Sequence, residues 1–288
     1  MNLSGENFGN GKFRLLEDYK IPNLEIIENM LRGGDLDVPL YVVRDYMDPQ
    51  ACMKMQENFY DVVHTTSGGN RADDPQVKVN QIGATQYGKK SADYFDECDE
   101  TRCNVSKIIS GLEHLKIADD ILLESSLRSY FLSKKVHFGP SYYRGRYCNL
   151  FTARLWKNEQ DKKLSLNAHE DLAQLRMANL DNFEIGNVKR VVACNLCVSD
   201  EDESTLLVWN IFPNEESKRH LNIVDTGYPY PLSYLDDFEY LTLKTKPGDL
   251  YFISANFIHA VQRGRVDNRI SLGRFMGYTA ENRVAYWT

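Results

Sequence analysis

Five side chains in the second half of the sequence have the types and spacing needed to bind a metal ion and an anion. His169 and Asp171 lie two residues apart in the stretch LNAHEDLAQL, and His259 follows ninety residues after His169. Two neutral imidazoles and one carboxylate can hold one face of Fe(II) and leave three coordination positions open. A lone His-x-Asp pair is common in polar turns, so its interpretation depends on the residues that accompany it.

Arg269 and Ser271 complete the pattern. Arg269 lies ten residues after His259 in the sequence NRISLG, and Ser271 follows it at alternate spacing. Side chains two residues apart on a strand face the same side, so both can converge on one anion. An arginine can bind the carboxylate of a 2-oxo acid through paired hydrogen bonds, and a serine hydroxyl can support it. The five residues together predict a metal site with an adjoining carboxylate clamp.

The length and composition of the chain limit what can position these residues. The sequence has 288 residues, of which 42% are hydrophobic and 26% charged, with a formal net charge of -7. This length favours one elaborated domain with a sizeable core. The acidic charge argues against a nucleic-acid protein, and the sequence has neither the pattern of a secretory signal nor that of a membrane span. We therefore expect a cytoplasmic globular protein that binds neither nucleic acid nor membrane.

The chain divides near residue 135 into a mainly helical part and a β-rich part. Apolar residues recur at helical spacing in NLEIIENMLRG, DPQACMKMQENFYDVV and ADDILLESSLRSYFLSKK. Asp48 and Pro49 have the types of an N-cap and first-turn pair for the second of these helices. Between the helices, the segment VKVNQIGATQ alternates as a strand does and follows a loop marked by glycines and Pro75. The first part is therefore predicted to be helical with a loop and strand insert.

After residue 140 the sequence changes to short β-rich runs separated by turn formers. The runs are CNLFTARLW, VKRVVACNLCV, STLLVWNIF, YLTLKTK, DLYFISA, FIHAVQR and RISLGRFMGY. Runs of this length and spacing predict an antiparallel sandwich or jelly roll. Because no flexible linker intervenes, we predict an α+β fold in which a mainly helical region, residues 1–135, packs against a jelly-roll core, residues 136–288, as one integrated domain.

The six cysteines are predicted to be structural thiols. Cys194 and Cys197 form a Cys-x-x-Cys pair, but the surrounding run predicts a strand, on which residues three apart point to opposite faces. The sequence has no second such pair to complete a zinc site. Four further histidines have no partner at metal-ligand spacing: His64, His114, His137 and His220.

On these residues the sequence resembles the Fe(II)/2-oxoglutarate-dependent oxygenases with a double-stranded β-helix core. The resemblance rests on the five residues described first, covers residues 140 to 280 and includes the PGDLYF turn ahead of the second histidine. It implies that the two histidines and Asp171 bind Fe(II) and act in catalysis. It also implies that Arg269 and Ser271 bind 2-oxoglutarate, and that dioxygen is consumed with release of succinate and carbon dioxide.

Three other stretches are similar to the subgroup of carrier-independent radical halogenases and hydroxylases, which act on free amino acids, nucleotides or indole alkaloids. They are QIGATQYGKK, FTARLW and RISLGRFMGYTAENRVAYWT. In the halogenases the carboxylate position is Gly or Ala, which leaves a site for chloride. Asp171 therefore implies hydroxylation, while desaturation, ring closure and halogenation on the same scaffold stay open as alternatives. A non-enzymatic jelly-roll binding protein would not need this set of ligands.

The sequence constrains the substrate pocket less closely. Arg71, in the glycine-rich loop SGGNRADDP, is either a clamp for a substrate carboxylate or phosphate, or a solvated loop residue. Arg154 alternates with Thr152 on the strand before the metal motif, and a buried arginine needs an anionic partner, which 2-oxoglutarate or the substrate would supply. Thr152 is a candidate for substrate contact, and so are Gln81, Thr85, Tyr87 and Trp287, each of which has a structural alternative. Arg274 is a possible rival to Arg269 as the 2-oxoglutarate clamp, but it lies fifteen residues after His259 and lacks the x-Ser continuation, so it is a candidate for substrate contact instead.

A free polar amino acid is the substrate that the sequence favours. The chain is acidic, and Arg71 offers a clamp for a carboxylate. A nucleotide would require more basic residues around the pocket, and an alkaloid would require an aromatic lining. We therefore expect a small-molecule hydroxylase that uses Fe(II), 2-oxoglutarate and O2, with a homodimer as the assembly to test.

Overall fold

The computed structural model describes residues 3–9, 11–66, 79–112, 118–156, 163–199, 204–264 and 269–288. In these residues the chain forms two large β-sheets, with helices packed on one of them. None of the helices in this part of the chain is long and apolar enough to cross a membrane.

The six α-helices of the described residues include three that begin at a side-chain N-cap. Their bounds are α1 Leu24–Arg32, α2 Pro49–Thr66, α3 Ser91–Ile108, α4 Glu124–Ser133, α5 Arg176–Leu180 and α6 Glu215–Leu221. Asn23 accepts a hydrogen bond from a first-turn backbone N–H of α1, and Asp48 does the same ahead of α2. α1 ends at Gly33, whose φ of 81° lies in the left-handed region that glycine adopts without strain.

The β-strands form two large sheets and two short pairs. They are β1 Gly5–Glu6, β2 Leu15–Tyr19, β3 Leu40–Arg44, β4 Val79–Ile82, β5 His137–Pro140, β6 Tyr142–Tyr143, β7 Arg146–Tyr147, β8 Thr152–Trp156, β9 Leu164–His169, β10 Val192–Ser199, β11 Thr205–Trp209, β12 Phe212–Pro213, β13 Tyr240–Lys244, β14 Leu250–Ser254, β15 His259–Gln262, β16 Arg269–Ala280 and β17 Arg283–Trp287. The short pairs are β1 with β12 and β6 with β7.

The larger sheet has nine strands and is built around β16. Its order is β2-β3-β14-β10-β16-β17-β5, and β8 and β4 are added beside the first half of β16. Residues 269–273 of β16 pair with β8, whereas residues 275–280 pair with β17, so this strand belongs to two branches of the sheet. Three strands from the first part of the chain, β2, β3 and β4, complete the sheet.

The smaller sheet has four antiparallel strands in the order β13-β11-β15-β9. Side chains from both large sheets line one cavity, so the two sheets face each other across it. The last residue of β9 and the first residue of β15 are directly paired at the edge of this cavity.

The helices pack on the face of the nine-stranded sheet that is turned away from the cavity. α2 contacts β10, and α1 contacts β16. On β16, the side chains of Ile270, Leu272 and Met276 join the same buried apolar cluster as Ile27 of α1 and Phe59 of α2. Burial of this apolar surface is the main stabilising contribution to the fold. The nine-stranded sheet therefore has one face for the core and one face for the cavity.

The predicted α+β class is confirmed as a mixed helix and sheet fold. α1, α2 and α4 coincide with the three predicted helical segments, and β8, β10, β11, β13, β14, β15 and β16 coincide with the seven predicted runs. The periodicity does not predict α3, because its apolar stripe is interrupted between Cys98 and Val105. Strands from both parts of the chain share the larger sheet, and one integrated domain with a division near residue 135 stays a prediction.

All six cysteines are thiols, and no disulfide joins them. Five are buried and Cys103 is exposed. Burial raises the pKa of both Cys98 and Cys194 to about 12, which keeps these thiols protonated. Their environment therefore agrees with the predicted structural role.

Candidate active site

Three side chains meet where β9, β15 and the turn after β9 come together. His169 ends β9 and is paired with His259, the first residue of β15, while Asp171 follows in the turn. Asp171 Oδ2 lies 3.3 Å from His259 Nε2, and Asp171 Oδ1 lies 3.9 Å from His169 Nε2. One donor atom from each residue lies within 4.8 Å of the other two. The structure therefore brings the three predicted metal ligands together.

Both imidazoles are held by the same local hydrogen bond. His169 Nδ1 lies 2.8 Å from the carbonyl oxygen of Asn167, and His259 Nδ1 lies 2.9 Å from that of Phe257. Since a carbonyl oxygen only accepts, each Nδ1 must carry the proton and donate it. In the neutral ring this leaves the Nε2 lone pair for a metal ion, and it also fixes the orientation of the ring.

The carboxylate of Asp171 is buried and oriented by neighbouring groups. Its backbone N–H donates to the carbonyl of Ala255 at 2.8 Å, and its Oδ1 accepts a hydrogen bond from Gln174 Nε2 at 2.8 Å. Burial by itself would raise the pKa of Asp171, but the hydrogen bond with His259 and the nearby positive charges lower it below its ordinary value. Asp171 is therefore held as a carboxylate, the form that ligates a cation.

This set of donors fits a ferrous ion. Two imidazole nitrogens and one carboxylate are the ligands that non-haem Fe(II) takes on one face. All three residues also line the cavity between the sheets, so other molecules can reach the coordination positions that the protein leaves open. Each ligand has the supporting hydrogen bond that metal sites commonly have.

The predicted carboxylate clamp lies at the same cavity. Arg269 is 6% exposed, and its Nη2 donates to the hydroxyl of Tyr251 at 2.7 Å. Ser271 Oγ accepts a hydrogen bond from Trp156 Nε1 at 3.0 Å. All four residues line the cavity. Because a buried guanidinium is stabilised by an anion, this end of the cavity fits the distal carboxylate of 2-oxoglutarate.

A second guanidinium enters the cavity from β8. Arg154 is paired with Ser271 across β8 and β16, and its Nε donates to Gln81 Oε1 at 3.0 Å. The amide of Gln81 in turn donates to the carbonyl of Gly83 at 3.0 Å. Gln81 therefore lies behind Arg154, outside the cavity lining, and orients it. The positive charge of Arg154 also contributes to the lowered pKa of Asp171.

The two large sheets supply opposite walls of the cavity. Strands β8, β10, β14 and β16 supply one wall, and β9, β11 and β15 supply the other. Thr85 and Tyr87, from the segment after β4, line it as the sequence predicts.

Two further predicted substrate residues, besides Gln81, also lie outside the cavity lining. Thr152 is fully buried, and its hydroxyl donates to the carbonyl of Ala84 at 3.0 Å. Arg274 lies on the core face of β16, where it donates to Glu124 Oε2 and to the carbonyl of Leu122, each at 2.8 Å. The structure corrects the prediction for Arg274, because on a strand residue 274 faces the side opposite to residues 269 and 271.

The remaining predictions have different outcomes. Trp287 is 1% exposed and packs against Phe275, with 6.0 Å between ring centroids, so it supports a residue that lines the cavity. Arg71 and His114 lie outside the described residues. The other three histidines outside the metal set are exposed, as their lack of partners in the sequence suggests: His64, His137 and His220.

Several residues of the site are missed by reasoning from the sequence. Trp156 alternates with Arg154 in FTARLW, so strand periodicity was a usable signal for it. Tyr251 lies inside the PGDLYF turn and strand. Gln174 and Tyr228 enter through the turn after β9 and a distant loop, and nothing local in the sequence indicates them.

Comparison with known proteins identifies one long sequence relationship. No protein-family model matches the chain. It is 35% identical over 268 residues to the L-isoleucine 3(1)-dioxygenase of Pantoea ananatis (strain AJ13355), covering 92% of this chain and 89% of that enzyme. The extent and identity of this alignment indicate common descent.

Two solved structures are more distantly similar. An N-substituted L-amino acid dioxygenase from Burkholderia ambifaria AMMD matches with a TM-score of 0.48 and 14% identity, covering 81% of this chain and 82% of that one. The non-haem alpha ketoglutarate dependent epimerase SnoN from nogalamycin biosynthesis matches with a TM-score of 0.41 and 10% identity, covering 89% and 85%. The family relationship rests on the sequence alignment, and these two weaker similarities add no argument about function.

Proposed function

Because the chain belongs to the iron- and 2-oxoglutarate-dependent dioxygenases, in the family of the L-isoleucine 3(1)-dioxygenase, we propose that it hydroxylates an unactivated C–H bond of a free aliphatic amino acid. The observation that carries this proposal is the meeting of His169, Asp171 and His259 in one cavity with the buried guanidinium of Arg269. That combination serves an iron centre and a dicarboxylate together.

The core is proposed to be a double-stranded β-helix, or jelly roll. Its support is a set of eight strands on the two sides of the cavity. Four of them form the smaller sheet, and four antiparallel neighbours, β8, β16, β10 and β14, form the centre of the larger one. The iron ligands come from the smaller sheet and the turn after β9, while the clamp comes from the larger sheet.

The metal ligands have two proposed roles: they hold the iron ion, and Asp171 keeps a halide from binding to it. His169 Nε2, His259 Nε2 and one oxygen of Asp171 would bind Fe(II). When bound, the ion activates dioxygen while 2-oxoglutarate is oxidised to succinate and carbon dioxide. Asp171 occupies the position that a halide would need, so its presence supports hydroxylation in place of halogenation.

Arg269 and Tyr251 are proposed to hold the distal carboxylate of 2-oxoglutarate. The Tyr251 hydroxyl accepts a hydrogen bond from Arg269 at 2.7 Å, which places it beside the guanidinium of the proposed clamp. Ser271 on β16 and Trp156 on β8 form a polar wall beside this clamp. The cosubstrate would therefore extend from the iron toward the start of β16.

The other end of the same sheet face is apolar, and it is proposed to hold the substrate side chain. Phe275, Ala193 and Ile253 lie side by side on β16, β10 and β14, and all three line the cavity. They lie close to the carboxylate ligand, because Ala255, two residues after Ile253, accepts the backbone N–H of Asp171. A hydrocarbon chain against this row gains about 25 cal/mol for each Å² of apolar surface buried. Because of this apolar row, we propose an aliphatic amino acid as the substrate, whereas the sequence alone favours a polar one.

The charged end of the amino acid requires polar partners at the cavity. Arg154 is proposed to bind a carboxylate, either that of the substrate or the second carboxylate of 2-oxoglutarate. Thr85 and Tyr87 supply hydroxyl groups on the substrate side. Arg71 stays a candidate for the same role. A cytoplasmic location, the absence of nucleic-acid and membrane partners and a homodimeric assembly also stay as proposals.

The proposal is tested by succinate release from 2-oxoglutarate with added Fe(II), across isoleucine, leucine and valine, polar and charged amino acids, nucleotides and small alkaloids. We expect aliphatic amino acids to stimulate succinate release and to yield a product heavier by one oxygen atom. Stimulation by nucleotides or alkaloids alone would contradict the substrate class. A product lighter than the substrate by two hydrogen atoms would show that the enzyme catalyses desaturation or ring closure and not hydroxylation.

The matched controls for that assay are the His169→Ala and Asp171→Ala variants. Both should keep the circular dichroism spectrum of the wild-type protein and lose substrate-stimulated succinate release. If the wild-type protein bound no Fe(II), the assignment of the metal ligands would be wrong. If it bound Fe(II) and 2-oxoglutarate but no tested compound stimulated turnover, the aliphatic amino acid proposal would fail.

A further inference from the structure

We propose that the buried ion pair between Glu170 and Lys218 positions the metal-binding turn and sets the affinity of the site for iron. Glu170 lies between the ligands His169 and Asp171 in the chain. Its Oε1 lies 3.0 Å from Lys218 Nζ, and the exposed fractions of the two side chains are 0% and 3%. The inference rests on the proposed function of this site as an iron centre, and neither residue ligates the metal.

Glu170 fixes the backbone of the turn that carries Asp171. Its Oε2 accepts hydrogen bonds from the backbone N–H groups of Leu172 at 2.7 Å and Ala173 at 3.1 Å. Its own backbone N–H donates to the carbonyl of Gly227 at 3.0 Å. The carboxylate therefore closes a short ring of contacts around the metal ligand, so that movement of Glu170 would also move the Asp171 backbone.

Close packing leaves this turn little freedom on the side of Gly227. A Cβ atom at residue 227 would lie 2.6 Å from both the carbonyl oxygen and Oε1 of Glu170. Gly227 also has a φ of 61°, in the left-handed region where a side chain adds strain. The absence of a side chain at this position allows the loop to pack directly against Glu170.

Lys218 ties this turn to a helix that is itself anchored. It lies in α6, whose first turn is capped by Asn214, the side chain of which accepts from the backbone N–H of Ser217 at 2.9 Å. The hydroxyl of Ser217 donates to the carbonyl of Ser4 at 2.9 Å, and the backbone N–H of Ser4 donates to Ser217 Oγ at 2.9 Å. Lys218 is thereby held at a fixed place on a separate element from the metal ligands.

Stability alone gives a weak reason for such a pair. Removing two charges from water is costly, and replacing a buried pair by apolar residues is often neutral or stabilising. Groups that hold metal ligands, in contrast, commonly change metal affinity by about 10-fold to 100-fold when they are removed. The location of the pair directly beside two ligands fits the second role.

The experiment compares Glu170→Gln, Lys218→Met and the double variant carrying both changes. Anaerobic titration with Fe(II), and with Co(II) as a spectroscopic substitute, measures metal affinity independently of turnover. Each single variant should bind metal about 10-fold to 100-fold more weakly, with a changed Co(II) absorption spectrum. The matched control is Glu57→Gln, because Glu57 pairs with Lys54 on the exposed surface of α2 at 3.4 Å.

The double variant separates positioning from simple loss of stability. It leaves no uncompensated buried charge, so urea unfolding of the metal-free protein should resemble that of the wild type. Its metal affinity should still be lower, because the turn has lost its bond to α6. Wild-type affinity and an unchanged Co(II) spectrum in the double variant would overturn the proposal, even if both single variants failed to fold. A wild-type protein that binds no Fe(II) would instead overturn the proposed function itself.

Discussion

His169 and His259 are directly opposite each other on neighbouring antiparallel strands, with their ring centroids 4.1 Å apart. This pairing explains how residues ninety positions apart in the sequence reach one ion. A register slip of one residue between β9 and β15 would turn one ring away from the cavity. The strand pair therefore determines the site, and Asp171 completes it from the adjoining turn.

Replacement of Asp171 by glycine should abolish most hydroxylation without creating an efficient halogenase. The change removes a buried ligand that Gln174 orients, so iron affinity and substrate-stimulated succinate release should both fall by at least about 100-fold. In chloride buffer, chlorinated product should be trace or absent by mass spectrometry, because the rest of the cavity is unchanged. Efficient chlorination by this single variant would show that the ligand alone controls the outcome.

Replacement of Arg269 by lysine should weaken 2-oxoglutarate binding more than amino acid binding. Lysine keeps the charge but loses the planar, bidentate geometry, so the KM for 2-oxoglutarate should rise about 10-fold to 100-fold. Tyr251→Phe removes only a hydroxyl and should raise it by about 2-fold to 10-fold. Steady-state kinetics with each substrate varied in turn measure both effects. An equal rise in the KM of the amino acid would contradict this assignment of the clamp.

Replacement of Phe275 by leucine should shift preference toward larger aliphatic amino acids. The smaller side chain enlarges the apolar row, and one methylene in such a pocket changes selectivity by roughly 10-fold or more. The ratio of kcat/KM for leucine to that for valine measures the shift. Phe252→Leu is the matched control, because Phe252 lies on the core face of β14 and stacks on Tyr41. The control should lower stability and leave the ratio unchanged.

Replacement of Arg274 by methionine should destabilise the fold and leave the KM values unchanged. Arg274 is buried on the core face and is bonded to Glu124, so its loss should lower the free energy of unfolding by about 3 kcal/mol. Arg128 pairs with the same carboxylate at the surface, and Arg128→Met should cost less than about 1 kcal/mol. Urea denaturation and steady-state kinetics together test this. If only the KM of the amino acid rose, Arg274 would have to contact the substrate, and this prediction would be wrong.

Replacement of Asp37 by asparagine should alter how stability depends on pH. Burial raises the pKa of Asp37 from 3.8 to about 6, although Arg190 opposes the rise. Between these values the folded state holds a proton that the unfolded state releases, so wild-type stability should decrease as the pH rises from about 4 to about 6. The variant cannot titrate there and should lack this component. Parallel curves from urea denaturation of the two metal-free proteins would contradict the prediction.

The sequence predicts which of these side chains meet at the cavity because the metal and clamp motifs both depend on short spacings with a clear chemical meaning. A His-x-Asp pair and an Arg-x-Ser pair can each be recognised within three residues. The two-residue period of a strand places both residues of the clamp pair on one face. The same parity excludes Arg274 from the cavity face of β16 and places Trp156 on the cavity face of β8. Local sequence was sufficient for this part of the site.

The rest of the site depends on contacts between distant segments. Gln174 reaches Asp171 only because the turn after β9 folds back, and Tyr228 comes from a loop with no regular period. Tertiary packing decides these features, and no local pattern encodes them.

The cavity face of β16 also bears on how this lineage can acquire new substrates. Arg269 and Ser271 are proposed to bind the cosubstrate, and a Cβ atom at Gly273 would lie 2.5 Å from Asn195 Oδ1, so any side chain there would displace that amide. Phe275 is the next residue on this face. None of the contacts described above joins it to the proposed clamp or to the iron ligands. Natural variation in substrate choice should therefore concentrate at residue 275, while residues 269, 271 and 273 on the same face stay under purifying selection.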